Sequence, residues 1–182
     1  MNLDRVGPGK NPPEEVNVVV EIPIHAPPVK YELDKESGAM FVDRFLNTSM
    51  HYPCNYGYIP KTLSKDGDPV DVIVMTSMPI IHGAVIPCRP IGVLKMTDEA
   101  GDDSKIMATP LDSVSKFDAN VSSYKDIAPA LLNQITHFFE HYKDLEPNKW
   151  VKVDGWYDAD EAKQEIIESM DAYSSSSEEL HY

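Results

Sequence analysis

Six residues, Asp66-Gly67-Asp68-Pro69-Val70-Asp71, constrain the fold of this chain more than any other stretch. Gly67 and Pro69 punctuate a turn, and the apolar alternation over residues 70–75 reads as a strand. Asp66 and Asp68 therefore stand at the mouth of a strand, with Asp71 a little inside it. Three anions held this close repel one another. At about 5 Å and an effective dielectric of about 20, each pair costs roughly 3 kcal/mol. Full solvation of the turn relieves that repulsion, and so does a hard cation among the oxygens.

A second acidic cluster follows the strand-like run 91–95 and carries Asp98, Glu99, Asp102 and Asp103. Neither cluster is a calcium-binding EF-hand loop. The twelfth position is Ser77 counted from Asp66 and Thr109 counted from Asp98, where that loop needs a bidentate Glu. One such cluster reads about as well as a solvated acidic turn. Two of them, each at a strand end, favour an oxygen-lined site for more than one magnesium or manganese ion.

With 182 residues the chain suits one domain with a real core, over 1–173, followed by a disordered serine-rich tail at 174–182. It carries 30 Asp+Glu against 16 Lys+Arg, a net charge of −14, so nucleic-acid backbones and anionic membranes are poor partners. An anionic substrate would need metal ions and a few placed cations to reverse the local field. Cys54 and Cys88 form no CxxC pair and read as inert thiols in a reducing compartment. Residues 1–15 are polar and proline-rich without the apolar run of a signal peptide. No stretch approaches the roughly 18 apolar residues of a membrane span. The expected location is the cytoplasm.

Residues 1–15 read as an irregular arm. Val16–Ile22 alternates, placing Val16, Val18, Val20 and Ile22 on one face and leaving Glu21 on the other, which reads as solvent-facing. Val29–Leu33 puts Lys30 and Glu32 on a shared face, and 39–45 is a strand carrying Asp43 and Arg44. Residues 51–60 read as a loop crowded with tyrosines, Tyr52, Tyr56 and Tyr58, which suits packing slightly better than a polar pocket. After the strand 70–75 come a proline-bounded connection at 78–87, a strand at 89–96 and a short strand at Lys105–Pro110. This run of short strands is what a small barrel requires. Residues 130–145 then show apolar positions at helical spacing, 150–153 reads as a strand, and 158–170 as a second helix.

His137 and His141 lie one helical turn apart, a spacing that can bind zinc. The metalloprotease motif needs Glu directly after the first His, where Phe138 stands, so a packed or interface pair is the better reading. Lys143 at the end of that helix suits either a solvated helix terminus or a cation aimed into the acidic site.

Asp-Gly-Asp-Pro-Val-Asp at 66–71 resembles the signature of the magnesium-dependent, OB-barrel type of soluble inorganic pyrophosphatase. Residues 18–23, 30–45, 51–58, 92–105 and 137–153 resemble further segments of the bacterial members, and the resemblance runs from about residue 6 to 156. It implies a mainly β, α+β fold, a five-stranded OB-like closed β-barrel with two C-terminal helices. It also implies hydrolysis of pyrophosphate to two orthophosphates by direct in-line attack of a metal-activated water. The matches to Asp66, Asp71 and Asp103 hold tightly bound metals, that to Asp98 an ion arriving with substrate, and that to Glu21 also lies near a metal. Asp68 matches the general base, with Tyr56 beside it in the catalytic set. Lys30, Glu32, Arg44, Tyr52, Lys105, Tyr142 and Lys143 match the substrate-binding set, and Glu99 belongs to the same shell. The cofactor implied is Mg2+, several ions per site, with Mn2+ or Zn2+ as substitutes. The family also implies a homo-oligomer, a hexamer, with the His137/His141 helix at the subunit contact.

The chemistry agrees with the residues. Two metals bridged by a water lower its pKa, each unit being worth about 1.4 kcal/mol. Asp68 beside divalent cations would itself become less basic, so the metals do more of the activation than the base. Another phosphohydrolase acting on nucleoside triphosphates would want a Gly-rich phosphate loop, and none is present. An OB-type single-strand binder would want a basic groove. A catalytically dead metal-binding scaffold would not need Asp68, Arg44 and Lys143 together.

Overall fold

The computed structural model describes residues 3–34 and 37–176. Among these, the strands are β1 (Val16–Ile22), β2 (Val29–Leu33), β3 (Met40–Phe45), β4 (Asn55–Tyr58), β5 (Asp71–Val74), β6 (Val85–Asp98), β7 (Gly101–Asp102), β8 (Lys105–Pro110) and β9 (Val151–Asp158). Two helices, α1 (Pro129–His141) and α2 (Ala159–Ser175), flank β9 in the chain, and short 3-10 turns occur at Leu3–Arg5 and Tyr124–Asp126.

Five strands close into a ring in the order β1-β4-β5-β8-β6 and back to β1. The closure is the pairing of Val16 to Val19 with Cys88 to Val85. β5 and β8 run parallel, and every other neighbour in the ring is antiparallel. β6 makes closure possible because it is long and bent. It pairs with β1 and then β9, and with β8 and then β7, with register shifts at Pro90/Gly92 and Lys95/Met96. The hairpin β2–β3 forms a separate two-stranded sheet in which Lys30 and Arg44 are register partners. The closed five-stranded unit and two C-terminal helices agree with the fold expected from the sequence.

Alternate residues of β5 enter different cores. Ile73 joins Ile22, Leu94 and Met107 against Ile135, Phe138 and Phe139 of α1. Val72 and Val74 join Val18, Val93 and Ile106 against Ala162 and Ile166 of α2. Each helix thus covers one core with its apolar stripe, as helical periodicity requires.

Several expectations need correction. Glu21 is not on a solvent face but buried. The face it shares with Val19 is covered by Leu3 from the N-terminal segment and by Leu33 of β2, so both sides of β1 are dry. Residues 55–58 are strand β4, buried throughout. Gly57 hid it from the apolar pattern, and glycine is needed there because a Cβ would stand 1.9 Å from the Val19 carbonyl oxygen of β1. β6 begins at Val85 rather than residue 89, despite Pro87 and Pro90. α1 stops at His141, not 145, where Tyr142 caps it with an N–H donated to the Phe138 carbonyl at 2.8 Å. β9 runs on to Asp158 through Asp154 and Gly155, which break the apolar pattern. α2 extends to Ser175, so the first two residues of the expected tail are helical, and 177–182 lie outside the described residues. Among the described residues no helix is long and apolar enough to cross a membrane.

Candidate active site

A cleft of about 310 Å³ opens between the strand ring, the β2–β3 hairpin and the end of α1. The structure brings every site residue expected from the sequence into its lining. β1 delivers Glu21, β2 delivers Lys30 and Glu32, and β3 delivers Arg44. Tyr56 comes from β4, with Tyr52 just before it. The turn ahead of β5 supplies Asp66 and Asp68, and β5 opens with Asp71. β6 ends on Asp98, with Glu99 in the turn beyond, while Asp103 and Lys105 lie between β7 and the start of β8. Tyr142 and Lys143 follow α1 directly.

The acidic turn is built by its own backbone. Gly67 takes a φ of 92°, a conformation that glycine adopts without strain. Asp66 Oδ1 accepts the Asp68 N–H at 3.0 Å, and the Ser64 N–H donates to the Asp68 carbonyl at 2.7 Å. The turn therefore holds two carboxylates at the rim of the ring while Val70 is anchored below, donating its N–H to the Thr62 hydroxyl at 2.9 Å.

Cations and carboxylates are interleaved across the cleft. Lys105, buried, places Nζ 2.5 Å from Asp71 Oδ2 and 2.5 Å from Asp103 Oδ1. Burial alone would lower its pKa, but these two carboxylates outweigh that and hold it well above the ordinary lysine value. Lys143 Nζ lies 2.6 Å from Asp98 Oδ2, both side chains buried, which settles the sequence's two readings of Lys143 in favour of the acidic site. Burial would raise Asp98, yet the bond from Lys143 leaves its pKa lowered. Lys30 pairs with Glu32, and Lys149 pairs with Glu99. Of the second acidic cluster, Asp102 turns away to meet Lys65 at 2.6 Å outside this cleft.

Glu21 accepts the Leu33 N–H at 2.8 Å, but burial, with the charges of Asp71 and Glu32, pushes its carboxyl up to about 8. Burial also raises Asp66 and Asp103. Carboxylates whose charged forms are disfavoured by burial and by one another form an all-oxygen donor set that a hard divalent cation would stabilise. The residues therefore fit such an ion in their chemistry, although among the described residues no three His, Cys, Asp or Glu side chains already converge on one point.

The tyrosines do both things that the sequence left open. Tyr52 and Tyr56 stand 5.4 Å apart and pack on Phe138 and Phe139 of α1 at 4.7 and 6.2 Å between ring centroids. They also line the cleft, with Lys105 5.6 Å over the Tyr56 ring. Burial raises the phenols of Tyr52, Tyr56 and Tyr142, so they are protonated donors at neutral pH. His137 and His141 lie 4.4 Å apart between ring centroids, outside the cleft lining, with His141 Nδ1 2.8 Å from Asp144.

Sequence reasoning missed Lys149, which lines the cleft, and Glu146, which meets Arg44 from behind. Both lie in the polar turns after α1, where nothing in spacing separates them from solvated side chains.

Comparison with known proteins agrees with this geometry. The family described as inorganic pyrophosphatase matches residues 18–174. The inorganic pyrophosphatase of Salmonella typhimurium is 60% identical over 171 residues, covering 94% of this chain and 97% of that protein. An inorganic pyrophosphatase structure from Coxiella burnetii superposes with a TM-score of 0.90 at 50% identity, covering 92% of this chain and 99% of that one. The structure of an inorganic phosphatase from Anaplasma phagocytophilum gives 0.91 at 50% identity, over 93% and 99% of the two chains.

Proposed function

The chain belongs to the inorganic pyrophosphatase family, and from that premise we propose how its cleft hydrolyses pyrophosphate to two orthophosphates. The observation that carries the reading is the charge pattern of one cleft, in which eight carboxylates are interleaved with lysines, an arginine and protonated tyrosines. Such a site suits a small polyanion that arrives with cations.

We assign Glu21, Asp66, Asp71, Asp98 and Asp103 to divalent ions, several per site, with Mg2+ first and Mn2+ or Zn2+ as substitutes. When bound there, the ions supply Lewis acidity toward the phosphoryl oxygens and a water of lowered pKa. Asp68 is the general base. Its carboxylate takes the proton of the attacking water as the oxygen approaches phosphorus in line with the bridging oxygen. Lys30 and Arg44, side by side on the hairpin, grip one phosphate side of the cleft, and Lys143 and Tyr142 the other, neutralising charge that spreads over the equatorial and leaving oxygens. Tyr52 and Tyr56 donate phenolic hydrogen bonds from a dry wall, with Lys105, Glu32 and Glu99 completing the shell. No side chain needs to become phosphorylated.

The enzyme is expected to work in the cytoplasm as a homo-oligomer, a hexamer by family resemblance. His137 and His141 lie outside the cleft lining, so a subunit contact on that face would leave the cleft open. Phosphate release from pyrophosphate across a magnesium titration tests the activity. Strong release that a chelator abolishes, with little release from nucleoside triphosphates, is expected. Preference for a nucleotide would point instead to a different phosphohydrolase.

A further inference from the structure

We infer that Glu146 is a positioning residue for Arg44, setting the angle at which the hairpin's guanidinium enters the cleft. The inference rests on the pyrophosphatase reading above and goes beyond it, because Glu146 touches neither the cleft nor any residue assigned to the ions.

Arg44 Nε lies 3.3 Å from Glu146 Oε1, and the Glu146 side chain is only 9% exposed. Both atoms are buried, and among the described residues neither makes a hydrogen bond, so they face one another as a charge pair without a linear N–H···O contact. A carboxylate taken this far out of water needs a cation, and Arg44 is the one beside it.

The same guanidinium has a competing partner. Its Nη1 lies 3.5 Å from Asp43 Oδ2, the neighbouring residue on β3, which does not line the cleft. Arg44 is therefore held between a carboxylate on its own strand and one on another element. Loss of the Glu146 charge leaves Asp43 as the nearer attraction and tilts the guanidinium away from the cleft.

Glu146 is well placed to coordinate the two phosphate-gripping arms. Its N–H donates to the Lys143 carbonyl at 2.9 Å, so it sits one turn beyond Lys143 and is joined to it through the backbone. The hairpin bearing Lys30 and Arg44 is a separate sheet from the strand ring. The Arg44–Glu146 contact thus ties the hairpin's cations to the Tyr142–Lys143 turn and fixes the span between them.

The test is steady-state hydrolysis of pyrophosphate at saturating magnesium by wild type, Glu146→Gln, Arg44→Lys and the double variant, with unfolding curves for each. Glu146→Gln keeps shape and removes charge. Its KM should rise about tenfold with kcat within about twofold, the pattern of lost substrate positioning. In the Arg44→Lys background, which lacks Nε, Glu146→Gln should change KM by less than about twofold, because the effect runs through the guanidinium. Unchanged KM in Glu146→Gln, a fall in kcat alone, or a KM loss that persists in full beside Arg44→Lys would each overturn the inference. If Glu146→Gln does not unfold cooperatively, Glu146→Asp serves. It keeps the charge but draws it back from Nε, so KM should rise in the same direction, and an unchanged KM would overturn the inference. Wild-type protein without pyrophosphatase activity would instead sink the reading of function on which this rests.

Discussion

Lys143 Nζ lies 2.6 Å from Asp98 Oδ2, with both side chains buried, joining the end of α1 to the end of β6 across 45 residues of chain. A buried ion pair that loses one partner leaves the other charge uncompensated, at about 3 kcal/mol or more. Lys143→Met should therefore lower stability by about that amount when unfolding is followed in chelator. Magnesium should restore part of the loss if the ion takes up the charge on Asp98. Equal unfolding midpoints for variant and wild type in chelator would show that the pair adds nothing to stability.

Glu21 connects stability to pH. Its carboxyl is pushed up to about 8, chiefly by burial, so the folded chain holds this proton more tightly than the unfolded chain does. The contribution to stability is full below the ordinary carboxylate value of about 4.3 and is lost as pH rises toward 8, by up to about 1.4 kcal/mol per pH unit. In chelator, the urea midpoint of the wild type should fall between about pH 5 and pH 8, and that of Glu21→Gln should fall less steeply. Parallel slopes would remove Glu21 as the cause. Magnesium binding near pH 7 should also release a proton that the variant does not release, measurable with an indicator in weak buffer.

Asp68 is exposed at the tip of its turn, and the turn's bond from its N–H to Asp66 does not use its side chain. Asp68→Asn should leave the unfolding free energy within about 0.5 kcal/mol of wild type, as surface changes do. Yet kcat should drop about 10²- to 10⁴-fold if the carboxylate is the general base. Activity close to wild type would keep the reaction and move the base elsewhere.

Gly57 is set by a close approach, because a Cβ there would stand 1.9 Å from the Val19 carbonyl oxygen. Gly57→Ala must part β1 from β4 inside the closed ring and should cost about 3 kcal/mol, at the upper end for overpacking. Because Tyr56 and Glu21 sit on those two strands, catalytic loss should accompany the lower melting temperature. A normal melting temperature would mean that the ring yields locally.

Much of the site was legible in the sequence because its chemistry is local. The turn at 66–71 displays three carboxylates, a glycine and a proline in six residues, and their repulsion alone points to cations. Four of the five ring strands, β1, β5, β6 and β8, and the helices with one apolar stripe were legible for the same reason, since periods of two and near four are properties of neighbours along the chain.

What depends on layers stacked from distant segments was not legible. Glu21 looked solvent-facing because alternation assumes one wet face, and only the packing of Leu3 and Leu33 made that face dry and raised its carboxyl. β4 passed for a loop because Gly57 carries no side chain, while its reason for being glycine lies on β1. Lys143 could point to solvent or to the acidic site until Asp98 arrived beside it from another strand. Glu146 had no signal at all, since a polar turn after a helix looks solvated until a hairpin about 100 residues earlier packs over it. The chain by itself determined which groups carry charge and where turns and stripes fall. The tertiary structure decided which of those charges lose water and which face one another, because desolvation and Coulomb attraction depend on distances that sequence order does not set.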